Sequence, residues 1–263
     1  MSYTRPMGKR AVCVSVLGLL AFYAVLQALV LRPDGFFAGD QGTKLLQTIA
    51  ALKHGPFTPW IDGLSHDIDP EFKNQEPLLV RRRDNGRLVG IFPWILPALT
   101  APFYSLIGRR GLYVVPAVSV ALTFLAACRL GRKLGTGAHG VWSGWIAVAA
   151  TPVLFYGAEF WEHAPAVALT TVALDLATPG AGSSRCRDCA SGVCIGLAAM
   201  FRPEAAAALP ALCLARLLVG KATGGWRAGL ALAAGWAAVT ALMLPANHAV
   251  YGTIIPEHLS LHL

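Results

Sequence analysis

Charged side chains are scarce in this sequence. Asp, Glu, Lys and Arg together make up 14% of it, against roughly a quarter in a soluble domain whose surface must be wetted. The deficit is concentrated, for Ala11–Leu31, Leu112–Cys128 and Val141–Tyr156 contain no such residue at all. Windows of this kind approach the roughly 20 apolar residues that span a hydrocarbon core, which excludes an ordinary soluble domain. Alternation with period two is also missing, which argues against a membrane β-barrel. Acidic residues are the scarcer sign, 14 against 22 basic, for a net charge of +8. Such basicity could serve nucleic acid, but Lys and Arg gather in short loops between apolar segments, the pattern of loops kept in the cytoplasm. No nucleic-acid partner is therefore expected, and the surplus positive charge suits anionic lipid headgroups or a lipid-linked phosphate. The six cysteines form no disulfide framework. Cys13, Cys128, Cys194 and Cys213 lie in apolar windows as small hydrophobes, and Cys186-Arg-Asp-Cys189 has metal or redox spacing with no second pair or histidine nearby. An internal repeat is lacking as well, which argues against an inverted-repeat transporter.

What is present is a series of apolar segments that must be helical, because in hydrocarbon each segment has to satisfy its own backbone. The fold class expected is all-α, a polytopic transmembrane helix bundle of about seven spans. They lie near 11–31, 111–129, 140–157, 161–178, 190–202, 203–219 and 228–246. Residues 1–31 read as a cytoplasmic N-terminus and first span, longer than a signal-peptide core and without a small-residue cleavage site. Residues 32–110 read as a long first extracytoplasmic loop. Within it, Gly42–His54 sets Leu45, Ile49 and Leu52 on one face with Lys44, Gln47 and Lys53 largely off it, which predicts a helix lying on the membrane surface. Leu78-Leu79-Val80 and Leu88-Val89-Gly90 flank Asp84-Asn85-Gly86, which predicts a small β-hairpin. Ile91–Ile107 is apolar but carries Pro93, Pro97 and Pro102. If it spanned, Arg129, Arg132 and Lys133 would fall on the opposite side from the other short basic loops, so it is read as re-entrant or interfacial. Residues 111–246 hold the remaining spans and 247–263 an extracytoplasmic tail. Met200-Phe201-Arg202-Pro203-Glu204 puts two charges and a proline into one apolar run, which predicts a break or reversal facing a polar cavity.

With this topology four polar groups are expected on the outer face. They are Asp40 with Gln41 and Lys44, the Glu159 to Trp161-Glu162-His163 turn, Arg202 with Glu204, and Asn247-His248 with Tyr251, Glu257, His258 and His262. Ionisable groups at membrane depth are costly to keep and so are candidates for function, and carboxylates beside histidine suit general-base work. Plainer roles stand beside each: Asp40 as a helix cap, Glu162 and His163 as a solvated turn, Arg202 as a structural partner of Glu204, and the C-terminal histidines as loop residues. Trp94, Tyr104, Trp142, Trp145 and Trp161 read mostly as interface anchors.

Gly39-Asp40-Gln41-Gly42 after a first span resembles the first extracytoplasmic loop of the GT-C fold glycosyltransferases. The likeness continues in Phe92-Pro93-Trp94-Ile95-Leu96-Pro97, in Thr151-Pro152-Val153-Leu154-Phe155-Tyr156 followed by Glu159 and Trp161-Glu162-His163, and in Phe201-Arg202-Pro203-Glu204. That superfamily includes protein mannosyltransferases and aminoarabinose transferases. The resemblance implies a plasma-membrane enzyme of about seven shared spans that takes a polyprenyl-phosphate-linked sugar donor. Asp40 matches the loop carboxylate that acts as base or positions the acceptor, and Arg202 falls near a cation placed against the lipid phosphate. Gln41, Lys44, Glu159, Glu162, His163 and Glu204 complete the expected substrate-binding set. Gln41 stands where many members have a second acid, which weakens a metal-binding role, so no cofactor and no metal are assigned. Members continue for further spans or a soluble domain, whereas this sequence stops at Leu263, so the resemblance leaves open whether it is part of a longer enzyme. Two other readings remain open, a catalytically inactive GT-C-like protein that binds lipid-linked substrates and a secondary transporter with Arg202 and Glu204 as midplane charges.

Overall fold

A computed structural model describes residues 9–31, 36, 39–57, 60–61, 80–82, 88–136, 139–179, 184–219 and 225–252. The chain divides into two compact units, one of Met1–Leu31 with Pro116–Ala241 and the other of Arg32–Val115 with Leu242–Leu263. The chain is mostly helical: α1 Lys9–Val25, α2 Gly39–His54, α3 Ile95–Ile107, α4 Val114–Gly131, α5 Gly140–Ala149, α6 Val153–Tyr156, α7 His163–Ala177, α8 Arg185–Phe201, α9 Ala208–Val219 and α10 Gly225–Tyr251. Short strands β1 Trp60–Ile61, β2 Val80–Arg82 and β3 Leu88–Gly90 lie between α2 and α3. Among the described residues, three helical runs are long and apolar enough to cross a bilayer, namely Arg10–Val30, Ile95–Thr136 and Gly225–Tyr251, while α5 and α7 are apolar but shorter. Their outward faces carry large apolar side chains, among them Val14, Leu17, Leu29, Ile146 and Leu242, more apolar surface than water tolerates.

In the first unit, Leu19, Tyr23, Val120, Phe124, Val148 and Ala164 form the core. The Tyr23 hydroxyl donates to Leu154 O at 2.7 Å, and Gly157 lets the ring approach, since a Cβ there would collide with it. Small residues govern the α8–α10 contact in the same way. A Cβ at Gly192 would strike the Leu232 carbonyl, and one at Gly235 the Cys189 carbonyl; such close backbone approach is how helices pack in lipid, where no hydrophobic force draws them together. Proline sets the break after α8. Arg202 takes an extended conformation, φ −140° and ψ 106°, as a residue preceding proline prefers, and a 3-10 turn Pro203–Ala207 leads into α9. The expected interruption at Arg202-Pro203 is therefore present.

One end of this unit is tied by ion pairs that the sequence reading did not anticipate. Asp175, buried near the end of α7, meets Arg129 of α4 at 3.0 Å and Lys133 at 2.7 Å. Arg187 of α8 donates to the Asp175 carbonyl at 3.4 Å. Asp188 of α8 takes both of its bonds from Arg216 of α9, at 2.7 and 3.0 Å. An isolated buried carboxylate is very costly, so these cations are what allow two aspartates inside an apolar unit.

In the second unit, the strands expected on either side of Asp84-Asn85-Gly86 pair antiparallel, with Val80 opposite Gly90 and Arg82 opposite Leu88. The connecting residues lie outside the described ones. Trp60–Ile61 adds a third strand on the other side of β3. Gly90 makes room for Gln47, whose amide donates to Phe92 O at 3.0 Å. The Tyr251 hydroxyl donates to Phe92 O at 2.7 Å and accepts from Trp94 N at 3.0 Å, while the Trp94 indole donates to Asn247 at 3.3 Å. After α3 the chain turns at Gly108, φ 64°, and packs so closely that a Cβ on Gly111 would meet the Phe103 carbonyl.

In the helix at 39–54, Leu45 of the expected apolar face is buried and Leu52 is exposed, while of the polar residues off that face Lys44 and Gln47 are buried and Lys53 is exposed. Lys44 and Gln47 turn inward because partners wait there: a carboxylate and an aromatic face for Lys44, and backbone carbonyls for Gln47. A buried polar group with partners costs little, whereas one without them is expensive.

Candidate functional site

The candidate residues fall into both units, and each set has its own geometry. In the second unit, Asp40 lies in the first turn of α2, where the helix dipole favours a carboxylate. Its Oδ2 receives the Lys44 ammonium at 2.7 Å, one turn along the same helix. The Lys44 side chain is 2% exposed and that of Asp40 23%, so the base candidate reaches solvent while its partner does not. Lys44 also lies over the Phe92 ring, 4.5 Å from its centroid, a cation–π contact that strengthens as water is removed. Gln41 is buried beside them in sequence.

In the first unit, α6 ends at Tyr156 and the chain turns through Gly157–Glu162 into α7. The turn is walled by aromatic rings, with His163 at 4.8 Å from Tyr156 and 5.3 Å from Trp161, centroid to centroid. Glu159 and Glu162 are buried within it, which corrects the picture of a solvated turn. Arg202 pairs with Glu204 at 2.9 Å, both of them reaching solvent. A cleft of about 370 Å³ brings His163, Arg202 and Glu204 together with Ala166, Val167, Thr170, Thr171 and Ala205. Positions 163, 166, 167, 170 and 171 follow helical spacing, so they form one stripe along α7. The hydroxyls of Thr170 and Thr171 donate back to Ala166 O and Val167 O, each at 2.8 Å, which satisfies both within the helix. The cleft is polar at the Arg202–His163 end and apolar along the helix. Guanidinium and imidazole at the head of an apolar groove can hold an anion that carries a hydrocarbon tail.

Among the described residues, no group of three or more His, Cys, Asp or Glu is placed to hold a metal ion. Glu257, His258 and His262 lie outside the described residues, whereas Asn247 and Tyr251 belong to the second unit and fasten the Phe92–Trp94 segment. Sequence reasoning missed the threonine stripe of α7, whose i, i+4 and i+7 spacing from His163 was the available signal. It also missed Asp175, a lone carboxylate in an apolar run and thus a candidate on the same grounds as Arg202. Comparison with protein-family models, with curated proteins and with solved structures finds no match to this chain.

Proposed function

We propose that the chain is a multi-pass plasma-membrane glycosyltransferase that moves a sugar from a polyprenyl phosphate to an acceptor hydroxyl on the extracytoplasmic side. About seven segments cross the bilayer in this reading, with the N-terminus cytoplasmic and α3 re-entrant. Two features support that topology. α3 has 13 residues, about 20 Å at 1.5 Å per residue, short of a core about 30 Å thick. In addition, the basic ends of α4 and α9 are bound to the buried carboxylates Asp175 and Asp188, and Arg187 of α8 to the Asp175 carbonyl, as expected if these ends lie on one side.

The observation that carries the functional reading is the cleft in which Arg202 and His163 head an apolar stripe on α7. In the proposed step the acceptor oxygen attacks the anomeric carbon as its proton passes to Asp40. The bond from that carbon to the phosphate oxygen breaks, and the electron pair leaves with the lipid phosphate, which Arg202 stabilises. Inversion at the anomeric carbon follows from this single displacement. Lys44 positions Asp40, while Glu159, Glu162, His163 and Gln41 shape the donor and acceptor sites. The same Asp40–Lys44 pair favours one rival, a lipid-binding protein without transfer, because a carboxylate engaged by its own helix can be purely structural.

Membranes containing the chain and a polyprenyl-phosphate hexose radiolabelled in the sugar separate the two readings. Wild type should move label from the donor to acceptor material, while Asp40→Asn should abolish the movement at equal amounts of folded protein. Equal transfer by Asp40→Asn would reject the base assignment, and absence of transfer by wild type would favour the rival.

A further inference from the structure

We infer that the ion-paired end of the first unit is a docking site for anionic phospholipid headgroups, with the phosphate seated among Arg129 of α4, Arg132 just beyond it, and Arg185 and Arg187 of α8.

Contacts within the unit bring these residues to one end. Arg129 and Arg187 are both anchored on Asp175, the first on its carboxylate and the second on its carbonyl. Lys133 reaches the same carboxylate and also donates to the same carbonyl. The start of α5 abuts the end of α4, where a Cβ on Gly140 would touch the Arg132 stem and one on Gly131 would touch Ser143. The start of α10 lies against the start of α8 through Gly235 and Cys189. The opposite end of α1 reaches Leu154 and Ala158, beyond α5, through Tyr23 and Gln27, so Arg10 belongs with the ion-paired end. Eight described cations therefore gather there, Arg10, Arg129, Arg132, Lys133, Arg185, Arg187, Arg216 and Arg227, against the two carboxylates Asp175 and Asp188.

Both carboxylates are buried and already engaged, so the positive charge that remains faces outward. Arg10, Arg129, Arg132, Arg185 and Arg227 are all exposed. The occupant is indicated by what accompanies the charge. Trp142 near the start of α5 and Trp226 at the start of α10 are 65% and 56% exposed, and Arg227 lies over the Trp226 ring at 5.2 Å. Exposed tryptophan with arginine at the ends of apolar helices is the signature of the water–lipid interface. A nucleic acid offers phosphates but no hydrocarbon boundary for those two indoles. The Arg132 stem lies along Gly140, which leaves its guanidinium to reach outward in the manner of a snorkelling side chain. Monoanionic phosphodiesters match guanidinium groups in charge and in fork geometry. The proposal stands apart from the sugar-transfer reading, since it uses none of the same residues.

Titration of the purified full chain with short-chain phosphatidylglycerol or phosphatidylcholine, read by native mass spectrometry, tests it. Wild type should bind phosphatidylglycerol well above phosphatidylcholine. Arg132→Gln with Arg185→Gln removes two exposed cations, and affinity should fall roughly thirtyfold, from the usual contribution of two basic side chains near an anionic surface. Arg132→Lys with Arg185→Lys should retain most of it. Lys53→Gln with Arg110→Gln, the same charge removed from the other unit, should leave binding unchanged. An equal loss in that pair would overturn the site in favour of bulk charge. Displacement of the lipid by inorganic phosphate would overturn it in favour of a free-phosphate site, and equal binding of the two lipids would overturn it outright.

Discussion

The two ends of the first unit handle charge in opposite ways. At one end Asp175 and Asp188 are buried and each is held by cations from other helices, so the pairs join α4 to α7 and α9 to α8. At the other end Arg202 and Glu204 pair two residues apart on the same turn, with side chains 36% and 68% exposed. Burial decides the difference. An exposed pair contributes roughly 0–1 kcal/mol, whereas breaking a buried pair leaves a charge that neither water nor protein satisfies. The first arrangement holds helices in place, and the second leaves a guanidinium available to a ligand.

The largest effect should come from breaking one buried pair. Arg216→Leu strands the Asp188 carboxylate and should cost about 3–5 kcal/mol, read as a lower unfolding midpoint in detergent. Adding Asp188→Asn or Asp188→Leu should return most of that loss, because the penalty belongs to the stranded charge rather than to missing attraction. If the single variant unfolds like wild type, the ion-paired end is no lock and the contrast between the ends disappears.

A smaller effect sharpens the same contrast through packing. Gly192 faces the Leu232 carbonyl with no room for a methyl group, whereas nothing lies within 4 Å of a Cβ at Gly229. Gly192→Ala should cost about 1–3 kcal/mol by forcing α8 and α10 apart. Gly229→Ala should be neutral or stabilising by up to about 1 kcal/mol, the ordinary gain in helix propensity. Thermal unfolding of the two alanine variants side by side decides it, since equal midpoints would mean that the helices do not approach as described.

These contrasts also show what the sequence made legible. Helices at 9–30 and 114–131 followed from charge-free windows, those at 163–177 and 225–251 from apolar runs with few charges, and the break at Arg202 from a proline beside two charges. All are local signals, set by the cost of a polar group in an apolar run. The burial of Lys44 and Gln47 on α2 was not legible, because amphipathic spacing reveals that a helix has two faces and not which residues find partners. Lys44 and Gln47 turned inward toward the Phe92 ring and the Phe92 carbonyl, residues more than 40 positions away that no periodicity links to them. The ion pairs of Asp175 were hidden for the same reason. The cleft was half legible: His163, Arg202 and Glu204 stood out as charges, but Thr170 and Thr171 looked like ordinary helix residues until their hydroxyls were seen bonded to the preceding turn.

The smallest change in stability should accompany the largest change in ligand behaviour. Glu204→Gln removes an acidic residue lining the cleft and should alter stability by less than about 1 kcal/mol, because the pair it breaks is exposed. Arg202→Gln should be equally mild for the fold. Toward a polyprenyl-phosphate donor the two should diverge, because Glu204 competes with the substrate phosphate for the Arg202 guanidinium. Without the glutamate, donor KM should stay the same or fall. Without the arginine it should rise, and the rate should fall with it, since the leaving phosphate loses its countercharge. Unfolding midpoints measured beside donor titrations for both variants test this directly. If Glu204→Gln destabilises the protein as much as Arg216→Leu does, the pair is a second lock, and Arg202 is not available to a ligand.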